Sequence, residues 1–286
     1  MYYILSLLAG VLISAMVAFN GGLTEAYGVY SATVLIHVVG LAFILIILLV
    51  KRESPFIKRH AWFLYTGGAI GVLTVLFNNL AFGRISVSAI LALSLFGQSI
   101  CGLIVDQYGL LGMPRHPFQK RKIAGLVIVL VGSLSMITSF EAMAVIVSIA
   151  TGATIVVSRT LNARLAELTS VRVSTFYNYL LGLSAAVLIF PAAGLAELAY
   201  IELNPSPWIY LGGVLGVGVI LIFNTTVTKI SAFYLTLLSF IGQVFAGILI
   251  DVMISRELSV HNLIGGVLVT IGLCANLVMD RRKTTQ

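Results

Sequence analysis

The amino-acid sequence predicts an all-α, polytopic membrane protein with ten transmembrane helices, arranged as two five-helix repeats of opposite orientation. Three observations predict it. Of the 286 residues, 59% are hydrophobic and only 9% charged, outside the range of soluble domains. Apolar runs of the roughly 20 residues that cross about 30 Å of hydrocarbon follow one another almost end to end, which leaves no room for a separate soluble domain. Polar residues of the first half then recur, in register, in the second.

Breaks at charged, proline and glycine clusters give spans near residues 2–20, 30–50, 62–82, 87–108, 122–140, 142–160, 173–194, 207–228, 233–254 and 261–279. The first, Tyr2 to Asn20, lacks a basic leader and is followed by nine more, so it reads as a retained helix instead of a cleaved signal. The second carries His37 and ends in the basic break Lys51, Arg52, Lys58 and Arg59. The third opens on Gly67, Gly68 and Gly71, a small-xxx-small pattern that suits close helix contact. The fourth carries Ser94, Gln98, Gly102 and Asp106, spaced by four, which on a helix form one slowly drifting stripe about 18 Å long. The break before the fifth is basic again, at Arg115, Lys120, Arg121 and Lys122. The sixth ends near Arg159 and Asn162, and the seventh holds Tyr177, Asn178 and Tyr179. The eighth and ninth repeat the third and fourth, and the tenth runs into the Arg281-Arg282-Lys283 tail.

Basic loops mark the cytoplasmic side. With ten spans and the tail inside, the N-terminus is also inside, and 15 of the 17 Lys and Arg fall on the cytoplasmic side, leaving only Arg84 and Arg256 outside. Nine or eleven spans would break that pattern. The net charge of +7 therefore reports orientation, and nucleic acid is not expected as a partner. Cys101 and Cys274 lie within apolar runs, which supports neither a disulfide framework nor a metal site.

The repeat is the most informative feature. At an offset of 145 residues, Gly67, Gly68, Gly71 and Asn79 pair with Gly212, Gly213, Gly216 and Asn224. The match runs on through Arg84-Ile85-Ser86 with Lys229-Ile230-Ser231, Ser94 with Ser239, Gly97-Gln98 with Gly242-Gln243, Gly102 with Gly247 and Asp106 with Asp251. Asn20 pairs with Asn162 at 142, and Gly125 and Gly132 with Gly265 and Gly272 at 140. Chance apolar similarity does not place polar residues in register. The repeats are assigned to 1–140 and 141–286. Five spans is an odd number, so the second copy enters the membrane inverted, about a pseudo-two-fold in the membrane plane.

Polar side chains at membrane depth face the bundle interior, a partner or a water-filled cavity. Gln98 and Gln243 either line a central solute cavity or bond between helices, and Asn79, Asn224, Asn20 and Asn162 either reach the cavity or, for the last two, cap helix ends. Tyr177, in a polar aromatic cluster without a counterpart in the first half, is a further candidate. Asp106 and Asp251, near span ends, read as caps or interfacial ion pairs. His37 reads as a structural histidine bonded to a neighbouring helix, with a proton-carrying role as the alternative. Arg159 is expected to snorkel at a cytoplasmic helix end, with attraction of an anion as the alternative. No nucleophile elbow, zincin, Walker or Cys-rich pattern occurs, so neither an enzyme nor an ATP-driven pump is expected, and no cofactor or metal.

Through Asn20, Gly97-Gln98, Gly102, Asp106, Tyr108 and Gly112, and the second copy of the pattern, the chain resembles the YdcZ-type branch of the drug/metabolite transporter superfamily over nearly its whole length. The resemblance implies a ten-helix inverted repeat. In it the first, third, fourth, sixth, eighth and ninth spans surround a central cavity, and the fifth and tenth pack beside it. Met16 stands where a glutamine would be expected one turn before Asn20, and Ser158 at the matching site. The expectation is a secondary transporter of a small organic solute in the cytoplasmic membrane, working by alternating access as monomer or homodimer, with coupling to a proton or cation open. A lipid-handling translocator and a non-transporting membrane subunit are the alternatives.

Overall fold

The structure is a computed structural model and describes residues 1–56, 60–112, 122–137, 141–200, 206–226, 229, 232–255 and 259–281. Among these there are ten α-helices and no strand. They are α1 Tyr2–Tyr27, α2 Val29–Lys51, α3 Gly67–Ala81, α4 Val87–Tyr108, α5 Lys122–Ser135, α6 Ala142–Leu168, α7 Val171–Ala193, α8 Leu211–Thr226, α9 Ala232–Ser255 and α10 Val260–Arg281. A 3-10 turn, Trp62–Thr66, leads into α3, and another, Pro207–Tyr210, leads into α8. Among the described residues, seven helices are long and apolar enough to cross a membrane, and shorter apolar stretches lie in α5, α9 and α10. In lipid, a helix satisfies its own backbone polar groups, and this all-helical build follows from that demand.

Two helices outrun the spans expected of them. The first was expected to close near residue 20 and the sixth near 160, but α1 continues to Tyr27 and α6 to Leu168. Gly21 and Gly22 do not break α1, whose next turn is closed by Thr24 Oγ1 donating to the Asn20 carbonyl at 2.9 Å. It stops only at Gly28, whose φ of 86° suits a residue without Cβ. Asn20 and Asn162 are thus interior helix residues and cap nothing. The fifth helix is shorter than expected and ends at Ser135, with 138–140 outside the described residues.

Helix starts are held by side chains from distant segments. Ser86 caps α4 by accepting from Ala89 N at 3.2 Å. Asp251 of α9 then takes the orphan N–H groups of Val87 and Ser88 at 2.9 and 3.1 Å, together with Ser88 Oγ and Asn262 Nδ2. Its carboxylate completes a helix N-terminus, where both the free donors and the dipole favour negative charge. The side chain of its repeat partner Asp106 lies outside the described residues. Glu53, just past α2, accepts from Ser170 Oγ and Arg172 Nε at the start of α7. Conversely Glu197, just past α7, accepts from Tyr30 N and Ser31 N at the start of α2, at 3.2 and 2.8 Å.

Packing between the halves is reciprocal. Helix α1 packs on α8 and α9, and α6 on α3 and α4; α2 meets α7, α4 meets α9 and α5 meets α10. Glycines permit the closest approaches. A Cβ on Gly10 would strike the Ser239 carbonyl and one on Gly242 the Leu7 carbonyl, so α1 and α9 touch backbone to backbone. Gly152 and Gly97 do the same for α6 and α4 against the Ser94 and Ile149 carbonyls. Gly132 and Gly265 bring α5 onto α10. The largest apolar cluster, with Ile90, Leu93, Leu95, Val129, Met136, Phe240, Val244 and Val269, fills the space among α4, α5, α9 and α10. Ile4, Leu49, Leu188, Leu249 and Met253 point outward, exposed, as lipid-facing side chains do.

Candidate functional site

A cavity of ≈ 180 Å³ lies where the two halves meet. A single water needs about 10–15 Å³ by this measure, so the space suits a small organic molecule. Its walls come from α1, α3, α4, α6, α8 and α9, with two residues each from α2 and α7 and none from α5 or α10 among the described residues.

Two asparagines are seated in matching ways. Asn20 on α1 lays its amide oxygen on Gly212 of α8, in the place a Cβ would take, and Asn162 on α6 does the same on Gly67 of α3. Asn162 Nδ2 donates to Asn178 Oδ1 at 2.8 Å and to Ser158 Oγ at 3.3 Å. Ser158 Oγ in turn donates to the Gly67 carbonyl at 2.7 Å, and Ser174 Oγ to the Asn162 carbonyl at 2.7 Å. Around Asn20 no such network forms. Its Oδ1 is buried without a hydrogen-bond partner, as are Asn78 Oδ1 and Asn224 Nδ2. Gln98 and Gln243 face the cavity from α4 and α9, and the Gln243 carbonyl accepts from Ser14 Oγ at 2.6 Å.

His37 and Tyr179 both line the cavity, with ring centroids 5.9 Å apart and planes at 56°. Each ring rests on a glycine of the facing helix, Tyr179 on Gly40 and His37 on Gly182. His37 Nδ1 donates to the Thr33 carbonyl of its own helix at 2.8 Å, where a bond to a neighbouring helix was expected. Tyr179 donates to the Gly213 carbonyl at 3.2 Å. Arg159 does not sit at a helix end, because α6 runs on to Leu168; its guanidinium lines the cavity, 5.7 Å from the Phe223 ring centroid.

Five of the seven residues singled out from sequence, Asn20, Gln98, Asn162, Asn224 and Gln243, are on the cavity wall. Two are not. Asn79 turns away and donates to Thr33 Oγ1 at 3.4 Å, so that Asn78 is the residue of that turn facing the space. Tyr177 packs edge-on against Tyr65, centroids 5.0 Å apart, while the next two residues, Asn178 and Tyr179, reach the wall. His37, Asn78, Ser158 and Arg159 are among the other wall residues. A signal for one pair was present: at the 142-residue offset His37 falls on Tyr179, so the seventh-span cluster does have a first-half counterpart. Among the described residues no group of acidic, histidine and cysteine side chains could hold a metal ion.

A largely apolar cavity among membrane-length helices, with amide, histidine, tyrosine and arginine side chains set in its wall, defines a class, that of multi-pass membrane proteins with a central solute-sized chamber. The family described as "Putative inner membrane exporter, YdcZ" matches residues 1–135 and again residues 143–275, and the chain belongs to that family. No curated protein matches its sequence. A protein of known crystal structure, 18% identical, is similar over 97% of each chain with a TM-score of 0.62, a likeness of fold.

Proposed function

We propose that this protein is a secondary transporter that exports a small organic solute across the inner membrane by alternating access about the central cavity. The observation that carries the reading is the cavity itself: amides from both halves of the chain converge at membrane depth in a space larger than a few waters. Membership in an exporter family supports transport and its direction. The finer architecture we propose is ten spans in two inverted halves, 1–140 and 141–286, supported by the reciprocal helix contacts and by the charge distribution. In such folds solutes bind near the midplane between repeats, and one bundle rocks against the other. Glu53 and Glu197, each joining the end of one helix to the start of its counterpart, would tie the α2–α7 pair at its two ends during that motion.

Purified protein in proteoliposomes tests the reading. Radiolabelled solutes should move down an imposed gradient, and Gln243→Ala should slow them at least tenfold while leaving elution and thermal unfolding unchanged. Failure of every solute to move, with or without ion gradients, would overturn transport. Flipping of fluorescent phospholipid in the same vesicles would replace it with a lipid-handling role. Labelling of single cysteines in the 51–59 and 115–122 loops from opposite sides of the membrane would overturn the inverted arrangement.

A further inference from the structure

We propose that the cavity takes an organic anion, whose oxyanion group is held by Arg159 and Asn224 and which also carries a hydroxyl or N–H donor for the amide oxygen of Asn78. The inference names the solute class of the transporter reading above and rests on it for movement across the membrane, though not for binding.

Arg159 lies four residues, about 6 Å, beyond the middle of the 27-residue helix α6. From there the side chain does not run out to a helix end. It turns into the cavity and stacks on Phe223. Among the described residues the ion pairs are Arg84–Glu141, Arg164–Glu167 and Arg172–Glu53, and none involves Arg159. Among the described residues no aspartate or glutamate lines the cavity. A guanidinium held at this depth needs an anion or water to offset its lost hydration, and its planar fork suits a carboxylate or phosphate oxygen pair.

The second, independent observation is a set of unmet amide atoms. Asn20 and Asn224 are only 5% and 7% exposed, yet Asn20 Oδ1 and Asn224 Nδ2 have no hydrogen-bond partner, and neither has Asn78 Oδ1. Buried polar atoms are nearly always bonded; the Asn20 oxygen is covered by Gly212, and the other two orphans, on the wall residues Asn78 and Asn224, point to an occupant with matching groups. Asn224 is adjacent in sequence to Phe223, the ring on which Arg159 stacks. Arg159 and Asn224 therefore offer donors on the same wall, while Asn78 offers an acceptor. Ile155, Val219 and Ile220 leave an apolar wall for the carbon skeleton.

The experiment is a ligand-dependent thermal shift on the full-length protein in nanodiscs, using matched probes: gluconate, glucose 6-phosphate, glucose and glucosamine, with lactate against lactamide. Anionic probes should bind at least tenfold more tightly than their neutral or cationic counterparts. The carboxylate and phosphate arms tell which oxyanion is preferred. Arg159→Gln should erase that discrimination and, by removing a charge that has no ion-pair partner from the cavity wall, should raise the unfolding temperature of the unliganded protein. Arg159→Lys should keep part of the discrimination, and Asn224→Ala should weaken the anions about tenfold. Equal binding of neutral and charged probes, no shift with any anion, or a lower unliganded unfolding temperature for Arg159→Gln would each overturn the proposal. Anion binding without movement in proteoliposomes would sink the transporter reading and leave the anion site standing. Movement of solutes that is indifferent to Arg159→Gln would do the reverse.

Discussion

Helices α1 and α6 hold equivalent places in the two halves and teach different lessons about what duplication keeps. Each lays an asparagine on a glycine of the other half, and each uses another glycine to touch a backbone carbonyl, Gly10 against Ser239 and Gly152 against Ser94. Chemically they part. Asn162 is bonded to Ser158 and Asn178, whereas Asn20 Oδ1 has no partner, and the residues of α1 aligned with Ser158 and Arg159 are Met16 and Val17. Backbone contact is retained by both helices, and polarity is loaded on one.

The comparison can be broken most severely at the glycines. Gly10→Leu and Gly152→Leu should each destabilise the protein by about 3 kcal/mol, the upper end of ordinary overpacking, because the obstacle in both cases is rigid backbone. Thermal unfolding in detergent reads the effect, and a silent substitution at either position would refute packing equivalence. Next in size is the asparagine pair. Asn162→Ala should cost about 2 kcal/mol, since it strands the Asn178 amide oxygen and takes a donor from Ser158 Oγ, while Asn20→Ala, which breaks no hydrogen bond made by the side chain, should cost about 0.5 kcal/mol. Equal losses would mean that Asn20 is bonded as fully as its counterpart.

Smaller effects belong to the helix starts. Asp251→Ala should lower stability by about 1.5 kcal/mol, within the range for a lost N-cap, by freeing the first N–H groups of α4; chemical denaturation of the two proteins measures it. Smallest is the Glu53 link. Partial burial pushes the Glu53 carboxyl upward, but its bonds to Ser170 and Arg172 outweigh that and hold it below the usual carboxylate range. A carboxylate depressed in the fold contributes stability that is complete above its ordinary pKa and fades as pH falls through the lowered value. Between about pH 6 and about pH 3, Glu53→Gln should therefore flatten the acid-side loss of thermal stability, by less than about 1 kcal/mol for so exposed a pair. An unchanged acid limb would remove Glu53 from the account.

Much of the architecture is legible in the sequence because lipid imposes a simple demand, apolar runs of a set length, and because register between repeats survives only where side chains meet something specific. That logic finds Gly67 and Gly212, each set against a facing helix, and five of the wall residues, but not Gly10 or Gly152. It misjudges Arg159 and the asparagine caps for one shared reason: a polar residue beyond residue 20 or 160 was read as the end of a span, although a helix tolerates it when the residue faces an interior cavity. It confuses Asn79 with Asn78, and Tyr177 with its neighbour Asn178 and with Tyr179 beyond, because each step along a helix turns the side chain by about 100°, which hydropathy does not resolve. Glu53 and Glu197 carry no local pattern. Their partners lie more than a hundred residues away, and only the fold brings them together.

The glycines beneath Asn20 and Asn162 bear on how this family's sequences should be read. At Gly212 and Gly67 any side chain would collide with an amide that borders the chamber, so substitutions there would change the chamber's shape from behind its wall. Selection would hold both positions nearly invariant, and a mutational scan would score them among the most sensitive in the protein. Intolerance at these two sites is therefore evidence about the asparagines they support, and a tolerated alanine at either should appear together with a shorter residue at 20 or 162.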